Sequence, residues 1–408
     1  MPRYKNKAKT PKPEDAVLLA PKFVKILLRG YVTIPTTAHA IKSLIDYFYV
    51  PKDNDIRPVY NGASCGINLS LWAPNFWLPT GRSALRVLDF GYHMVDIDLG
   101  EFFLNFPLPE IISLFSGIDL TPFRALLEEH GFELYIDTDG LCKVRWERCW
   151  MGCKPSPFFS VRFFYWAEEF ARGNPDDKRN RLRWDRVILN LPGDSSFDPT
   201  KPRVMKWDDL LMRIAADILA FVDDLRASGF TAEEAWQVAR QVASRLQYLG
   251  IQDAPRKRRP PSLSPGAWAG GVFSTKDHKV TKSVTQEKWD KGKRLIHELI
   301  SESKLDPLHD FSYKRLEQVR GFLCHLSMTY KTLTPFLKGF HLTLSSYLPH
   351  RDANWWKLSD KQWEKQLLLK VERGEMEAGE AQEIIENERL SKAAESEWAA
   401  YLQEEVET

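Results

Sequence analysis

A chain of 408 residues with 43% hydrophobic and 12% aromatic content can bury a sizeable core in two or three domains. Its five cysteines (Cys65, Cys142, Cys149, Cys153, Cys324) are odd in number and irregularly spaced, which argues against a disulfide framework; no His or Cys pair stands near Cys149 and Cys153 to complete a zinc site. Net charge is only +2, yet residues 1–12 hold five basic side chains and no acid, while residues 371–408 hold twelve glutamates against Arg373, Arg389 and Lys392. Such asymmetry fits a basic arm for nucleic acid and an acidic solvated tail, or two ends that are simply solvated. No signal-peptide pattern and no apolar run near the ~20 residues of a bilayer span is present. The expectation is an intracellular protein, cytoplasmic or nuclear, not secreted and not in a membrane.

Taken in chain order, residues 1–20 read as a basic, Pro-containing flexible arm. Residues 21–50 hold apolar patches that fit helix or strand, and 51–90 read as strands and loops rich in Gly, Pro and Asn. His-Met-Val-Asp-Ile-Asp-Leu (93–99) predicts a strand, and 108–118 a helix. The turn signal Asp139-Gly140, between 132–137 and 141–149, predicts a hairpin. Residues 156–172 have apolar positions at helical spacing, whereas 173–208 show no sustained period and read as a long surface insertion. A strand over 217–222 then runs into Asp223-Asp224. A helix follows from the capping box Thr231-x-x-Glu234 to Gly250. Arg256 to Pro261 are basic and break structure. Two or three helical stretches fill 283–350, and the last fifty residues read as charged helices.

Two adjacent aspartates at the end of an apolar strand repel each other and are costly to bury unpaired. Asp96 and Asp98 share one face of an earlier strand, because side chains alternate. With the two strands side by side, three carboxylates can converge. That is a poor acid/base set and a good site for hard divalent cations that bind phosphate oxygens. Two such ions support in-line phosphoryl displacement. Asp pairs are also common in turns, so DILAFVDDLR alone does not decide. Met151-Gly-Cys-Lys-Pro-Ser-Pro157 fixes a bend before a helix, where Lys154 and Ser156 can face a ligand. Arg57 can hold phosphate. Phe102 and Phe103 can pack on a sugar or base, or form core.

Together these residues resemble a reverse transcriptase of the retrotransposon and retroviral kind, over roughly 50–275 and more weakly to about 350. Asp98-Leu-Gly-Glu-Phe-Phe103 is similar to the family's Asp followed five residues later by an aromatic. This makes Asp98, rather than Asp96, the metal ligand and puts Phe103 at the steric gate against a 2′-hydroxyl. Gly152-Cys-Lys-Pro-Ser-Pro157 resembles the family's Gly-x-x-x-Ser-Pro, and Phe221-Val-Asp-Asp224 its aromatic-x-Asp-Asp hairpin box. Lys257 matches a lysine that assists pyrophosphate departure. Trp268-Ala-Gly-Gly271, with Gly270 at its turn, looks like the primer grip. Arg57 and Lys52 match triphosphate-binding fingers residues, and Leu316 to Phe340 is similar to the thumb or connection segment. Met151 stands where many relatives have Gln, and Phe221 where Tyr is commoner.

The resemblance implies an α+β right-hand polymerase: fingers and a ferredoxin-like palm over 21–275, a helical thumb/connection over 276–350, and a Glu-rich helical tail over 351–408. It implies RNA-directed DNA polymerase activity with two Mg²⁺ ions held by Asp98, Asp223 and Asp224, for which Mn²⁺ can substitute. Nucleotide contacts fall to Lys52, Arg57, Phe103, Gly152 and Ser156. The partners implied are deoxynucleoside triphosphates and an RNA or DNA template with its primer. Too few aspartates follow Asp310 for an RNase H carboxylate set, and no Asp-Thr/Ser-Gly or His/Cys finger pattern occurs. The chain therefore reads as a piece of a retroelement polyprotein. The alternatives are an inactive remnant that binds nucleic acid and an RNA-dependent RNA polymerase; the aromatic at 103 speaks against the latter.

Overall fold

Leu19, Phe23 and Ile26 recur at helical spacing and are buried by the first helix, α1 (Ala16–Leu28). This computed structural model describes residues 8–11, 16–35, 41–52, 55–255, 258–305, 311–347 and 360–407. Helix α1 runs across residue 20, so Leu19 and Ala20 belong to the core and not to a basic arm. After β1 (Val32–Thr33), strands β2 (Asp46–Lys52) and β3 (Asp55–Asn61) form a separate antiparallel hairpin with Val50 opposite Arg57. Single-turn helices α2 (Ile67–Ser70) and α3 (Gly81–Leu85) lead to the first acid strand, β4 (His93–Asp98). A 3₁₀ turn over Phe102–Asn105 follows.

The segment 108–118 is not one helix. It splits into α4 (Glu110–Ser113) and strand β5 (Gly117–Asp119). Gly117 is the reason: a Cβ there would sit 2.4 Å from Ile41 Cγ2 and 3.0 Å from the Ser43 carbonyl. Its N–H instead donates to the Ser43 carbonyl at 3.1 Å, and the residue forms a parallel bridge with Leu44. After α5 (Arg124–Glu129), the expected turn at Asp139-Gly140 forms, but 132–137 is not a strand and the hairpin does not extend. Asp137 accepts the N–H groups of Asp139 and Leu141 at 2.9 Å each, closing a side-chain-capped loop. The Asp137 N–H also donates to the Leu141 carbonyl at 3.0 Å, and one antiparallel bridge, Ile136 to Cys142, joins the two arms. Strand β6 (Lys143–Trp146) instead lies between β1 and β5.

Helix α6 (Ser156–Arg172) is as the spacing predicts. The stretch read as a period-free insertion carries β7 (Arg186–Leu189) and β8 (Val204–Asp208), which join β9 (Arg213–Ile214) in a three-stranded sheet. Its inner face is not surface: Met205 and Ile214 are buried with Leu88, Tyr92, Met94, Trp268 and Phe273 in a second core. Strands of two to five residues separated by long loops leave no readable period.

Strands β10 (Asp217–Phe221) and β11 (Asp224–Gly229) form the hairpin of the Asp-Asp pair, and α7 (Ala232–Tyr248) follows with Thr231 as its cap. Sheet order is β10-β11-β4, all antiparallel, with β11 in the middle. Ile218, Ala220, Leu225, Ala227, Val95 and Ile97 form its rear face. They bury against Val238, Ala239 and Val242 of α7 and Val161 and Phe164 of α6 in the main core. A further three-stranded sheet follows, β12 (Gly266–Trp268), β13 (Gly271–Ser274) and β14 (Thr281–Ser283).

Two compact units divide between Thr285 and Gln286. A cut after 275 would have severed β14 from its sheet. The second unit contains α8 (Gln286–Leu305), α9 (Tyr313–Ser327), α10 (Leu337–Ser345), α11 (Asp360–Glu372) and α12 (Ala378–Glu407). Leu316 and Leu344 centre one small cluster in it, and Trp363, Leu367 and Ala381 another. Among the described residues no helix is long and apolar enough to cross a membrane.

Candidate active site

Pairing register determines which carboxylates can meet. Asp224 stands directly opposite Asp98, and Arg226 directly opposite Asp96. Residues opposite each other in an antiparallel pair share a face. The front face therefore reads, from its open end, as a row of Phe221, Asp224 and Asp98, then a row of Leu219, Arg226 and Asp96. Asp223 lies in the two-residue turn before Asp224, and its carbonyl accepts the Leu99 N–H at 3.0 Å. On the far side of β4, the Asp98 carbonyl accepts the Ala254 N–H at 3.0 Å. Asp98 is half-buried, and Asp223 and Asp224 are exposed.

Asp96 is excluded from this group by its own partner. Arg226 Nε and Nη2 donate to both oxygens of Asp96 at 2.7 and 3.0 Å, a bidentate pair. The four acids thus sort into one closed ion pair and three carboxylates at the open end. Among the described residues no three His, Cys, Asp or Glu side chains stand close enough to form a ready-made metal cage. The donor set still suits Mg²⁺, which takes one or two carboxylates and completes its shell with water and substrate phosphates.

The aromatic pair after Asp98 divides its work. Phe102 is buried against Phe106 and Phe164, with ring centroids 5.2 and 5.4 Å away, whereas Phe103 is half-buried. Glu101, just before them, has a φ of 50°. Its carboxylate takes bonds from Lys25, from Arg29 at 2.7 Å and from Tyr31 at 2.9 Å. Burial penalises that charge, but the Lys25 and Tyr31 hydrogen bonds and the Arg29 charge outweigh it and hold the acid below its ordinary value. Gln252 extends the network to Tyr31, Arg29 and, through its carbonyl, the Gly100 N–H. Sequence reasoning missed this anchor; its signal is an acid inside the Asp98–Phe103 motif.

The Gly152 loop is fixed by close approach. Gly152 has a φ of 109°, and a Cβ there would fall 2.2 Å from the Tyr60 carbonyl of β3. Asn68 clamps the loop, donating to the Gly152 carbonyl and accepting from the Lys154 N–H, each at 2.9 Å. Lys154 is exposed, but Ser156 is only 1% exposed. Its hydroxyl is buried beside the thiols of Cys149 and Cys153, below the surface on which a nucleotide contact was expected. Burial pushes those thiols up to about 11 and about 12, so both stay protonated near neutral pH.

Trp268 and Gly270 lie on a tight hairpin between β12 and β13, with Trp268 opposite Gly271. Both turn residues, Ala269 and Gly270, have positive φ, 46° and 79°, as a type I′ turn requires. Trp268 Nε1 donates to the Asp224 carbonyl at 3.2 Å, which ties this hairpin to the acid strand. Arg57 is exposed on β3, and Lys52 ends β2. Lys257 falls outside the described residues.

No protein-family model matches the chain, and no curated protein does. Among solved structures it is similar to a foamy viral protease–reverse transcriptase in complex with double-stranded DNA. The TM-score is 0.53 and the identity 14%, over 88% of this chain and 48% of the other. The chain thus spans about half the length of that protein, and the likeness is one of fold.

Proposed function

We propose that the chain is an RNA-directed DNA polymerase of a retrotransposable element, with fingers, palm and a helical thumb/connection segment, that adds deoxynucleotides to a primer 3′-hydroxyl by two-metal-ion phosphoryl transfer. The observation that carries the reading is the register: Asp98 opposite Asp224, Asp223 at the turn, and Asp96 closed off by Arg226. The fold's likeness to a reverse transcriptase that was bound to double-stranded DNA supports it.

Asp98, Asp223 and Asp224 would hold the two Mg²⁺ ions, or Mn²⁺ in their place. When bound, such ions activate the attacking oxygen and stabilise the leaving one. The chain's own residues supply position and charge. Phe103, the less buried of its pair, stands against the 2′ position of an incoming deoxynucleotide. Glu101 and Gln252 fix the turn that carries it. Arg57, with Lys52 and Lys257, neutralises triphosphate charge. The Gly152 loop brings backbone close without a side chain, and the Trp268–Gly270 hairpin holds the primer end.

The test is primer extension on poly(rA)/oligo(dT) with Mg²⁺, wild type beside Asp223→Asn. Extension by the wild type and a loss of at least a hundredfold in the variant is expected. Duplex binding without extension by either protein would leave the inactive, nucleic-acid-holding remnant as the better description. Addition of ribonucleotides in preference would point to an RNA polymerase.

A further inference from the structure

Arg226 is only 3% exposed, yet it is a cation on the front face of the sheet that carries Asp98 and Asp224. Besides Asp96, its Nη2 reaches the Gly266 carbonyl at the root of the β12–β13 hairpin, at 3.3 Å. Its guanidinium carbon lies 5.7 Å from the ring centroid of Trp268 and 5.8 Å from that of Phe273, one on each strand of that hairpin. Its Nη1 is buried with no hydrogen-bond partner among the described residues. The hairpin reaches back: Trp268 Nε1 bonds the Asp224 carbonyl, and the Trp268 and Phe221 rings meet edge to face with centroids 6.3 Å apart.

We propose that Arg226 is a positioning residue that withdraws Asp96 from the metal site and latches the β12–β13 hairpin onto the strand that begins at Asp224. Its consequence for catalysis rests on the polymerase reading; the latch does not. Asp96 lies two residues from Asp98 on the same face, roughly 7 Å away along the strand. A carboxylate left unpaired at that range competes for the same hard cation. The planar guanidinium suits both tasks, because it grips a carboxylate with two donors while its flat face lies near aromatic rings. A lysine ammonium can still neutralise the carboxylate as a point charge but has no flat face to lay near the rings.

The experiment compares wild type, Arg226→Met, Arg226→Lys and the double variant Asp96→Leu/Arg226→Met. Amide hydrogen exchange over 266–274 is measured without nucleic acid. Primer extension is measured across Mg²⁺ concentrations, with kcat and the KM for primer–template separated. In Arg226→Met the hairpin should exchange at least tenfold faster, kcat should fall at least tenfold, and the Mg²⁺ midpoint should move. The double variant should recover the wild-type midpoint, because the competing carboxylate is gone. Arg226→Lys should keep that midpoint, exchange fast and raise KM, and it carries the test if Arg226→Met does not fold. Wild-type exchange together with a wild-type Mg²⁺ midpoint in Arg226→Met would overturn the proposal. If the wild type extends no primer, the polymerase reading fails, and unchanged exchange in the variants then overturns the latch as well.

Discussion

Val222 has a φ of 57°, in the region that β-branched residues avoid. It is the first of two turn residues between Phe221 and Asp224, and the positive φ falls there and not on Asp223, the pattern of a type II′ turn that favours glycine. Holding valine there costs on the order of 1–3 kcal/mol, and the surroundings must impose it. Val222→Gly should therefore stabilise the protein by about 1 kcal/mol after the entropic cost of glycine is subtracted, read as a higher urea midpoint. It should also slow primer extension, because a relaxed turn no longer fixes Asp223. An unchanged or lower midpoint would show that the turn carries no strain. At this scale much was legible. Asp98, Asp223 and Asp224 stand out in the sequence, and placing Asp98 opposite Asp224 forces Asp96 opposite Arg226, two residues inward on each strand. The burial of Ser156 was not legible, since a Gly-x-x-x-Ser-Pro pattern does not say which side of the bend faces the core.

The acid sheet needs support at its closed end as well as its open one. Asp217, at the start of β10, is 4% exposed and pairs with Arg172 of α6 and with Lys206 of β8 at 3.0 Å. Arg172 also grips Glu168 at 2.7 Å. Burial penalises the Asp217 carboxylate, but the charges of Arg172 and Lys206 outweigh it and hold it below its ordinary value. The same penalty prevails at Glu168, where Arg172 compensates it only in part, and the value is raised. A depressed folded value means that the unfolded chain takes up the proton first. Asp217 therefore stabilises the fold above its unfolded value of about 3.9 and stops doing so as pH falls through its folded value. Glu168 has the opposite sign, its ionisation costing stability as pH rises through its raised value. Asp217→Asn should cost about 3 kcal/mol at pH 7, since it leaves Arg172 in the interior with one acid in place of two. That difference should shrink as pH falls below about 4, measured by urea melts at both ends. A variant equally destabilised at pH 7 and pH 3 would mean that lost packing, not charge, is responsible. Elements with many repeats of their period (α6, α7, β4, β10) were readable in sequence. Strands such as β1, β5 and β9, of two or three residues, exist only through their partners, and no local period announces them.

The two compact units, Met1–Thr285 and Gln286–Thr408, have separate hydrophobic clusters, so their stabilities need not be equal. Calorimetry on the whole chain should show two transitions instead of the single one of a small domain. Every acid proposed to hold a cation, Asp98, Asp223 and Asp224, lies in the first unit. A ligand that binds only the folded state raises stability by RT ln(1 + [L]/Kd), which is about 2.7 kcal/mol at a hundred times Kd. For a unit of this size each kcal/mol corresponds to about 2–4 °C. Saturating Mg²⁺ should then move one transition upward by several degrees and leave the other where it was. The acidic helix α12 is the internal control: twelve glutamates lie in residues 371–408, and diffuse attraction of cations to them would shift the second transition too. Asp223→Asn should abolish the Mg²⁺ shift of the first transition without touching the second. If Mg²⁺ moved both transitions equally in wild type and variant, the cation would be acting on surface charge, and the carboxylates at the end of β4 and β11 would not be a metal site.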